Sequence, residues 1–380
     1  MALKDTSQLP VALWAIPVPE FGGVARHVVD SARAGLPGYQ LIVLAPEGEL
    51  TRQLQKQGTE VITAQYGPDY GFATSFKSLL AAIKQVQPRI LHSHLAYSDV
   101  VACAVIQSLK LQSLVKKSVR VPSLVTTEHG IAGNDEVYHG SSWRSRLMAG
   151  IHRVRLAGTD AAIAVSRSTA EQMRRKWGAS SANVVLNGVH GTDLLKQLES
   201  YRTERTSQNI KVLSLSRLSS EKGLDVLLEA FAHFSEHNTD AYLTIAGSGP
   251  LREVLEDQAR ILGIETKVHF PGFVDSVQAM AEHDILVQLS VWENLSYTLI
   301  DAHIAGMKTI ATDVGGNSEI VVAEDLVPAI TKDNREDVIK LVAQKLTQKA
   351  HAEKPSQQQW VSAEEMTANI VNIYQKVSSS

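Results

Sequence analysis

The sequence predicts two α/β domains, each a doubly wound parallel sheet covered by helices on both faces. Two observations carry this. Short runs rich in Val, Ile and Leu alternate with helix-length segments along the whole chain, and runs with no polar alternation belong to strands buried on both faces. The alternation also stops near the middle and restarts, and 380 residues is a length that two domains fill more naturally than one.

In order, residues 11–16, 40–44, 89–92, 123–126 and 161–165 read as the strands of the first series, with helices over 25–34 and 76–86 among the intervening segments. Residues 211–215, 241–246, 268–270, 285–288 and 309–311 form the second series, separated by helices over 224–234, from about 251 and over 297–305. Residues 197–209 are charge-rich without an apolar period, as linkers are, so the expected domains are 1–205 and 206–359. Open parallel sheets take ligands beyond the carboxyl ends of their strands, which puts the expected site in a cleft between two facing sheets. Residues 333–357 read as helical and polar. Ser362 and Glu365 form a capping box opening a helix with Met366, Ile370, Ile373 and Tyr374 on one side.

Composition excludes several classes. Apolar residues at 44% and charged residues at 20% are those of a globular chain, not a disordered or collagenous one. The single cysteine, Cys103, forms no intrachain disulfide and anchors no cysteine zinc site, so a reducing, cytoplasmic setting is expected. The apolar stretch 11–18 is short, contains Pro17 and lacks a basic leader, unlike a signal peptide, and no run of about 18 apolar residues predicts a membrane span.

The net charge of −3 conceals an asymmetry. Residues 1–205 carry 23 Lys and Arg against 16 Asp and Glu, and the remainder carries 14 against 24. Arg144, Arg146, Arg153, Arg155, Arg167, Arg174, Arg175 and Lys176 face only Asp160 and Glu171 in the stretch between them. Such a field draws phosphate esters or an anionic lipid surface, or is a solvated helix face. Among the arginines, Trp143, Leu147, Met148, Ile151 and Val154 stand at near-helical spacing, a pattern for a helix lying in a headgroup layer or packing on the core. Aromatics at 6% and the lack of a recognition motif argue against nucleic acid.

The chemistry-bearing residues sit at strand ends. Gly22 and Gly23 precede a helix, where amides favour an anion, although a plain turn reads equally well. His92, His94 and His129 end neighbouring strands, as substrate contacts, structural groups or metal ligands. Arg217 and Lys222 follow the first strand of the second series, with Gly223 before a helix, an arrangement that suits a diphosphate. Gly247 lies in a glycine-rich loop after the next strand, and Phe273 and Val274 follow the one after. Glu293 and Asp301 are eight residues apart, just over two helical turns, around a helix start whose free amides offer a phosphate seat. Two carboxylates beside that seat make sense as ligands for sugar and ribose hydroxyls.

Taken together, these residues resemble the family 4 retaining glycosyltransferases, whose GT-B fold consists of two facing Rossmann-like domains. The likeness covers nearly the whole chain. Asn187-Gly188-Val189 and Val165-Ser166 fit its pattern as well, and the family signature, two glutamates with seven residues between, falls on Glu293 and Asp301. The resemblance implies an acceptor-binding first domain, with the helix of about 360–380 packing back on it, and a second domain that binds a nucleotide-sugar donor. It implies that Arg217 and Lys222 hold the diphosphate, Glu293 the donor sugar and Asp301 the ribose. Gly247, Phe273, Val274, Asn294, Leu295 and Ser296 would line the donor, Gly22 and Gly23 would approach its phosphate, Gly23, His94 and His129 would meet the acceptor, and His129 would also contact the donor sugar near the reacting centre. His129, Glu293, Arg217 and Lys222 would be the catalytic set.

With no Asp-x-Asp pair, no protein-held metal and no other cofactor are expected. The co-substrate implied is a UDP-sugar before a GDP-sugar, and the partner a glycan or lipid-linked acceptor at the inner face of a membrane. Three departures stand out: Asp301 for the second glutamate, Asn294 for the usual glycine and Lys308 for the usual proline. A non-catalytic binding subunit and a nucleotide-sugar epimerase are the competing readings.

Overall fold

The computed structural model describes residues 9–131, 142–179, 181–201 and 209–378, with the side chains of 142–147 outside the described set. By its contacts the chain divides into two units, residues 1–189 with 361–380, and residues 190–360.

In the first unit the apolar runs pair as seven parallel strands, β1 Val11–Ala15, β2 Gln40–Ala45, β3 Glu60–Thr63, β4 Ile90–His94, β5 Ser123–Glu128, β6 Ala161–Ala164 and β7 Asn183–Val184, in the order β3-β2-β1-β4-β5-β6-β7. Helices α1 Gly23–Ala34, α2 Glu49–Lys56, α3 Phe72–Val86, α4 Ala96–Val115, α5 Ser142–Ala157 and α6 Arg167–Trp177 intervene. Ala12, Leu13, Trp14 and Ala15 of central β1 are fully buried, as the unbroken apolar run requires. The C-terminal helix Ala363–Ser378 starts with the Ser362 hydroxyl accepting from the Glu365 amide at 3.1 Å. It lays Met366, Ile370, Val371 and Tyr374 into the same core as Trp14, each worth on the order of 2 kcal/mol, and the Tyr374 hydroxyl accepts from Trp14 Nε1 at 2.8 Å.

An 18-residue window of α4 reaches a mean hydropathy of 1.2, so this helix alone, among the described residues, is long and apolar enough to cross a membrane. Its inner face, Val101, Ala102, Val105, Ile106 and Leu109, is core. At its far end Leu111, Leu114 and Val115 are exposed beside Lys110, Lys116 and Lys117.

The second unit holds β8 Ile210–Leu215, β9 Ala241–Ala246, β10 Val268–Gly272, β11 Ile285–Gln288, β12 Lys308–Thr312 and β13 Leu326–Val327, all parallel, in the order β10-β9-β8-β11-β12-β13. Its helices are α7 Gly191–Tyr201, α8 Leu224–His237, α9 Arg252–Ile261, α10 Ser276–Glu282, α11 Tyr297–Ile304 and α12 Arg335–His351.

Two expectations need correction here. The stretch expected to begin a linker at 197 is the second half of α7, which buries Leu194 and Leu198 and packs on α10 and α11. The contact boundary therefore falls after 189 rather than after 205. Helix α12 is not polar all round, because Val338, Val342 and Leu346 recur at four-residue intervals and are buried against α8.

Candidate functional site

In the second unit the chain leaves β8 toward β9 and β10 on one side, and later returns to β11 and β12 on the other. The loops after β8 and β11 thus diverge at a topological switch point, where open parallel sheets bind ligands. Lys222 lies on the first loop and Glu293 on the second. Lys222 Nζ donates to Glu293 Oε1 at 2.9 Å and Oε2 at 3.2 Å, with the side chains 18% and 15% exposed.

Backbone contacts tie these two loops to each other and to the loop that follows β12. The Val291 amide donates to the Glu221 carbonyl at 2.8 Å, and the Gly316 amide to the Asn294 carbonyl at 2.7 Å. Gly315, at φ +56, lies so close that an added Cβ would overlap the Glu293 carbonyl oxygen, and Gly223, at φ +58, stands likewise on the Leu289 carbonyl. Only glycine fits those left-handed positions at that approach. Beside Lys222, burial would raise the Glu221 carboxyl, but the Ser219 hydroxyl 2.6 Å away and the cations Lys222 and Arg217 hold it below the usual range.

The other sequence-derived residues of the second unit lie beyond the ends of its strands. Arg217 is exposed on the same loop. Gly247 donates its amide to the Gly272 carbonyl at 2.7 Å, Phe273 is 85% exposed and Val274 is half-buried. Asn294, Leu295 and Ser296 are buried. The Ser296 hydroxyl caps α11, accepting from the Leu299 amide at 3.3 Å and donating to Gln288 Oε1 at 2.8 Å. Asp301, one turn into α11, is buried.

In the first unit the switch point lies between β1 and β4, flanked by Gly22 and Gly23 at the start of α1 and by His94 at the end of β4. A Cβ at Gly22 or Gly23 would meet nothing within 4 Å, and neither has a positive φ, so packing within the fold does not demand glycine there. Leu95, at φ +71, turns the chain out of β4. That conformation costs a non-glycine residue about 1–3 kcal/mol and is typical of functional sites.

Four histidines gather below these loops. His94 Nδ1 lies 2.9 Å from His129 Nε2, and His27 Nδ1 lies 3.2 Å from Asn187 Oδ1. His92, in contrast, bonds the Tyr374 hydroxyl at 2.6 Å and the Thr127 hydroxyl at 2.7 Å. Both its nitrogens are satisfied, so its role is structural, and His27 of α1 takes the place expected for it. Burial pushes His27 down to about 4 and drives His92, His94 and His129 well below their ordinary value. All four rings are neutral at pH 7.

The basic stretch is less basic at the surface than its composition implies. Arg155 is fully buried and forms ion pairs with Asp99 and Glu128, while the Ser93 hydroxyl donates to Asp99 at 2.6 Å. A buried guanidinium persists only with such partners, and this one ties the end of β5, just before His129, to α4. Arg174 pairs with Glu171 at 2.6 Å. Arg153, Ile151 and Val154 are exposed, whereas the side chains of Trp143, Arg144, Arg146 and Leu147 lie outside the described residues.

Residues 197–361 match the family described as glycosyl transferases group 1, and residues 21–191 match glycosyltransferase family 4. Over 116 residues, 30% of each chain, the sequence is 36% identical to an uncharacterized glycosyltransferase of Methanocaldococcus jannaschii. Over 342 residues it is 23% identical to the glycogen synthase of Mycobacterium tuberculosis, covering 81% of this chain and 78% of that one. The solved structure of Anabaena HepE in complex with UDP-glucose matches with a TM-score of 0.70 at 18% identity, over 97% of this chain and 98% of that chain. This last likeness is one of fold.

Proposed function

The chain belongs to the group 1 and family 4 glycosyltransferases, and from that premise we propose that it transfers a sugar from a UDP-sugar to an acceptor hydroxyl, with retention and without a protein-held metal. The observation that carries this reading is the Lys222–Glu293 pair at the switch point of the second unit. Breaking the sugar–diphosphate bond builds negative charge on the diphosphate, and catalysis calls for fixed cations and amides at that spot. Lys222 and Arg217 supply the charge, and the amides opening α11 add theirs. Glu293 holds the donor sugar and Asp301 the ribose. To His129 we assign contact with the donor sugar near the reacting carbon, and to Gly22, Gly23 and His94 contact with the phosphate and acceptor.

The acceptor attacks on the face from which the nucleotide leaves, so no enzymic nucleophile is required. HepE was solved with UDP-glucose, which favours uridine over guanosine in the donor. The acceptor is a glycan or a lipid-linked sugar. A panel of UDP- and GDP-sugars read by thermal shift, followed by NMR of the product's anomeric configuration, tests the reading. A UDP-sugar should raise the melting temperature of the wild type, and Lys222→Ala should abolish most turnover while leaving the fold intact. An inverted product, or Lys222→Ala at full activity, would overturn it.

A further inference from the structure

We propose that His27, His94 and His129 form a binding site for a late first-row divalent cation, zinc above all, that holds the protein in an inhibited state. Each imidazole offers one ligating nitrogen, and the three lie within 4.8 Å of one another. A tetrahedral zinc at about 2.0–2.1 Å from each nitrogen spaces its ligands roughly 3.3 Å apart, so closing the site takes ring movements on the order of an ångström.

Two further features point to a ligand at this place. His27 Nε2 and His94 Nε2 are buried without a hydrogen-bond partner, a state native interiors rarely leave unexplained. With the Asn187 amide oxygen 3.2 Å from His27 Nδ1, the proton sits on Nδ1 and the Nε2 lone pair is presented inward. This is the outer-shell hydrogen bond by which metal-binding histidines are commonly oriented.

The donor set selects the ion. Three uncharged imidazoles with no carboxylate suit Zn, Ni or Cu and disfavour Mg and Ca, which want oxygen. Glu128, adjacent in sequence to His129, is occupied by Arg155. His27 and His94 are buried while His129 is only half-buried, which leaves the fourth coordination position toward the open side. The inhibitory consequence rests on the proposed role of His129: a ring that ligates a metal is withdrawn from the donor sugar.

The test uses the full chain stripped with chelator, titrated with Zn2+ in a calorimeter and with Co2+ in a visible spectrometer. One equivalent of Co2+ should give the intense bands of a tetrahedral nitrogen site. Affinity should fall at least tenfold in His27→Gln and in His94→Gln, and stay unchanged in His233→Gln, an exposed histidine. Circular dichroism checks that each variant is folded, and Zn2+ should raise the melting temperature of the wild type but not of His27→Gln. Absence of stoichiometric uptake, with water alone satisfying the two nitrogens, would overturn the site, as would equal affinity in His27→Gln and wild type. Zn2+ should also inhibit transfer reversibly. Uptake without inhibition would uphold the site, overturn the inhibited state and count against His129 as a donor contact.

Discussion

Acid should destabilise the first unit through its buried histidines, and His27 makes the effect measurable. Its folded pKa is about 4 against an ordinary 6.5, because burial penalises the charged ring. Between those values the unfolded chain binds a proton that the folded chain refuses, so stability rises with pH across the window. The contribution is flat above about pH 6.5, is lost as pH falls, and levels off below about 4. At about 1.4 kcal/mol per pH unit, the loss from His27 alone at pH 5 is about 2 kcal/mol, a visible share of the 5–15 kcal/mol typical of a domain.

His92, His94 and His129 act in the same direction. Asp99 and Glu128 oppose them: burial is their largest influence and raises both carboxyls despite Arg155, so the folded state takes up their protons more readily. A comparison of wild type with His27→Gln cancels what the two proteins share. Hydrogen exchange of the β1 and β4 amides, which report on the first unit alone, should be followed at pH 7.5, 6.5, 5.5 and 5. The wild type should lose about 2 kcal/mol more protection than His27→Gln over this range. Equal pH slopes would refute the view that His27 is buried uncharged.

Gly315→Ala should lower turnover more than stability, costing at least about 1 kcal/mol at a left-handed position while pushing the Glu293 backbone aside; melting temperature and kcat, measured together, check the split. Asp301→Asn should weaken binding of bare UDP, whereas Glu293→Gln should act mainly on turnover, and calorimetry with UDP separates the two. Transfer should persist in chelator; loss of activity restored by magnesium or manganese would count against a metal-free leaving-group site. Anionic vesicles should bind the protein at low salt and release it at high salt, since each surface cation contributes about 1 kcal/mol, and Val154→Ser with Leu114→Ser should weaken the association; no preference over neutral vesicles would dismiss docking.

What the sequence shows depends on how completely an element is buried. Central strands such as β1 and β11 are unbroken apolar runs and stand out. Strands β3, β7 and β13 escape notice because each lies at a sheet edge, where one side is solvated and a two- to four-residue element carries no run. Helix α7 is hidden by the charged residues on its outer face. Arg155 reads as surface charge because its partners, Asp99 and Glu128, are 56 and 27 residues away, beyond the reach of any local pattern. His27 is masked by its helix, whose periodicity accounts for the position without reference to the strands beneath it.

Strand-end motifs were legible for a different reason: parallel topology brings every carboxyl end to the same side of its sheet. Lys222 and Glu293 are 71 residues apart, yet β8 and β11 are neighbours, so residues just past both strands have to meet. The departure at Asn294 fits the same logic. Among the described non-glycine residues only Gln87 and Leu95 have positive φ, so the backbone at 294 asks for no glycine, and the carbonyl there still accepts from Gly316. The conformational need for glycine falls instead on Gly223 and Gly315, which bring the loops after β8 and β12 against the carbonyls of Leu289 and Glu293. The Glu293 carboxylate holds the Lys222 ammonium in place. If the donor diphosphate binds at Lys222 as proposed, it meets a cation already oriented, and such preorganisation spares the reorganisation that water would have to undergo.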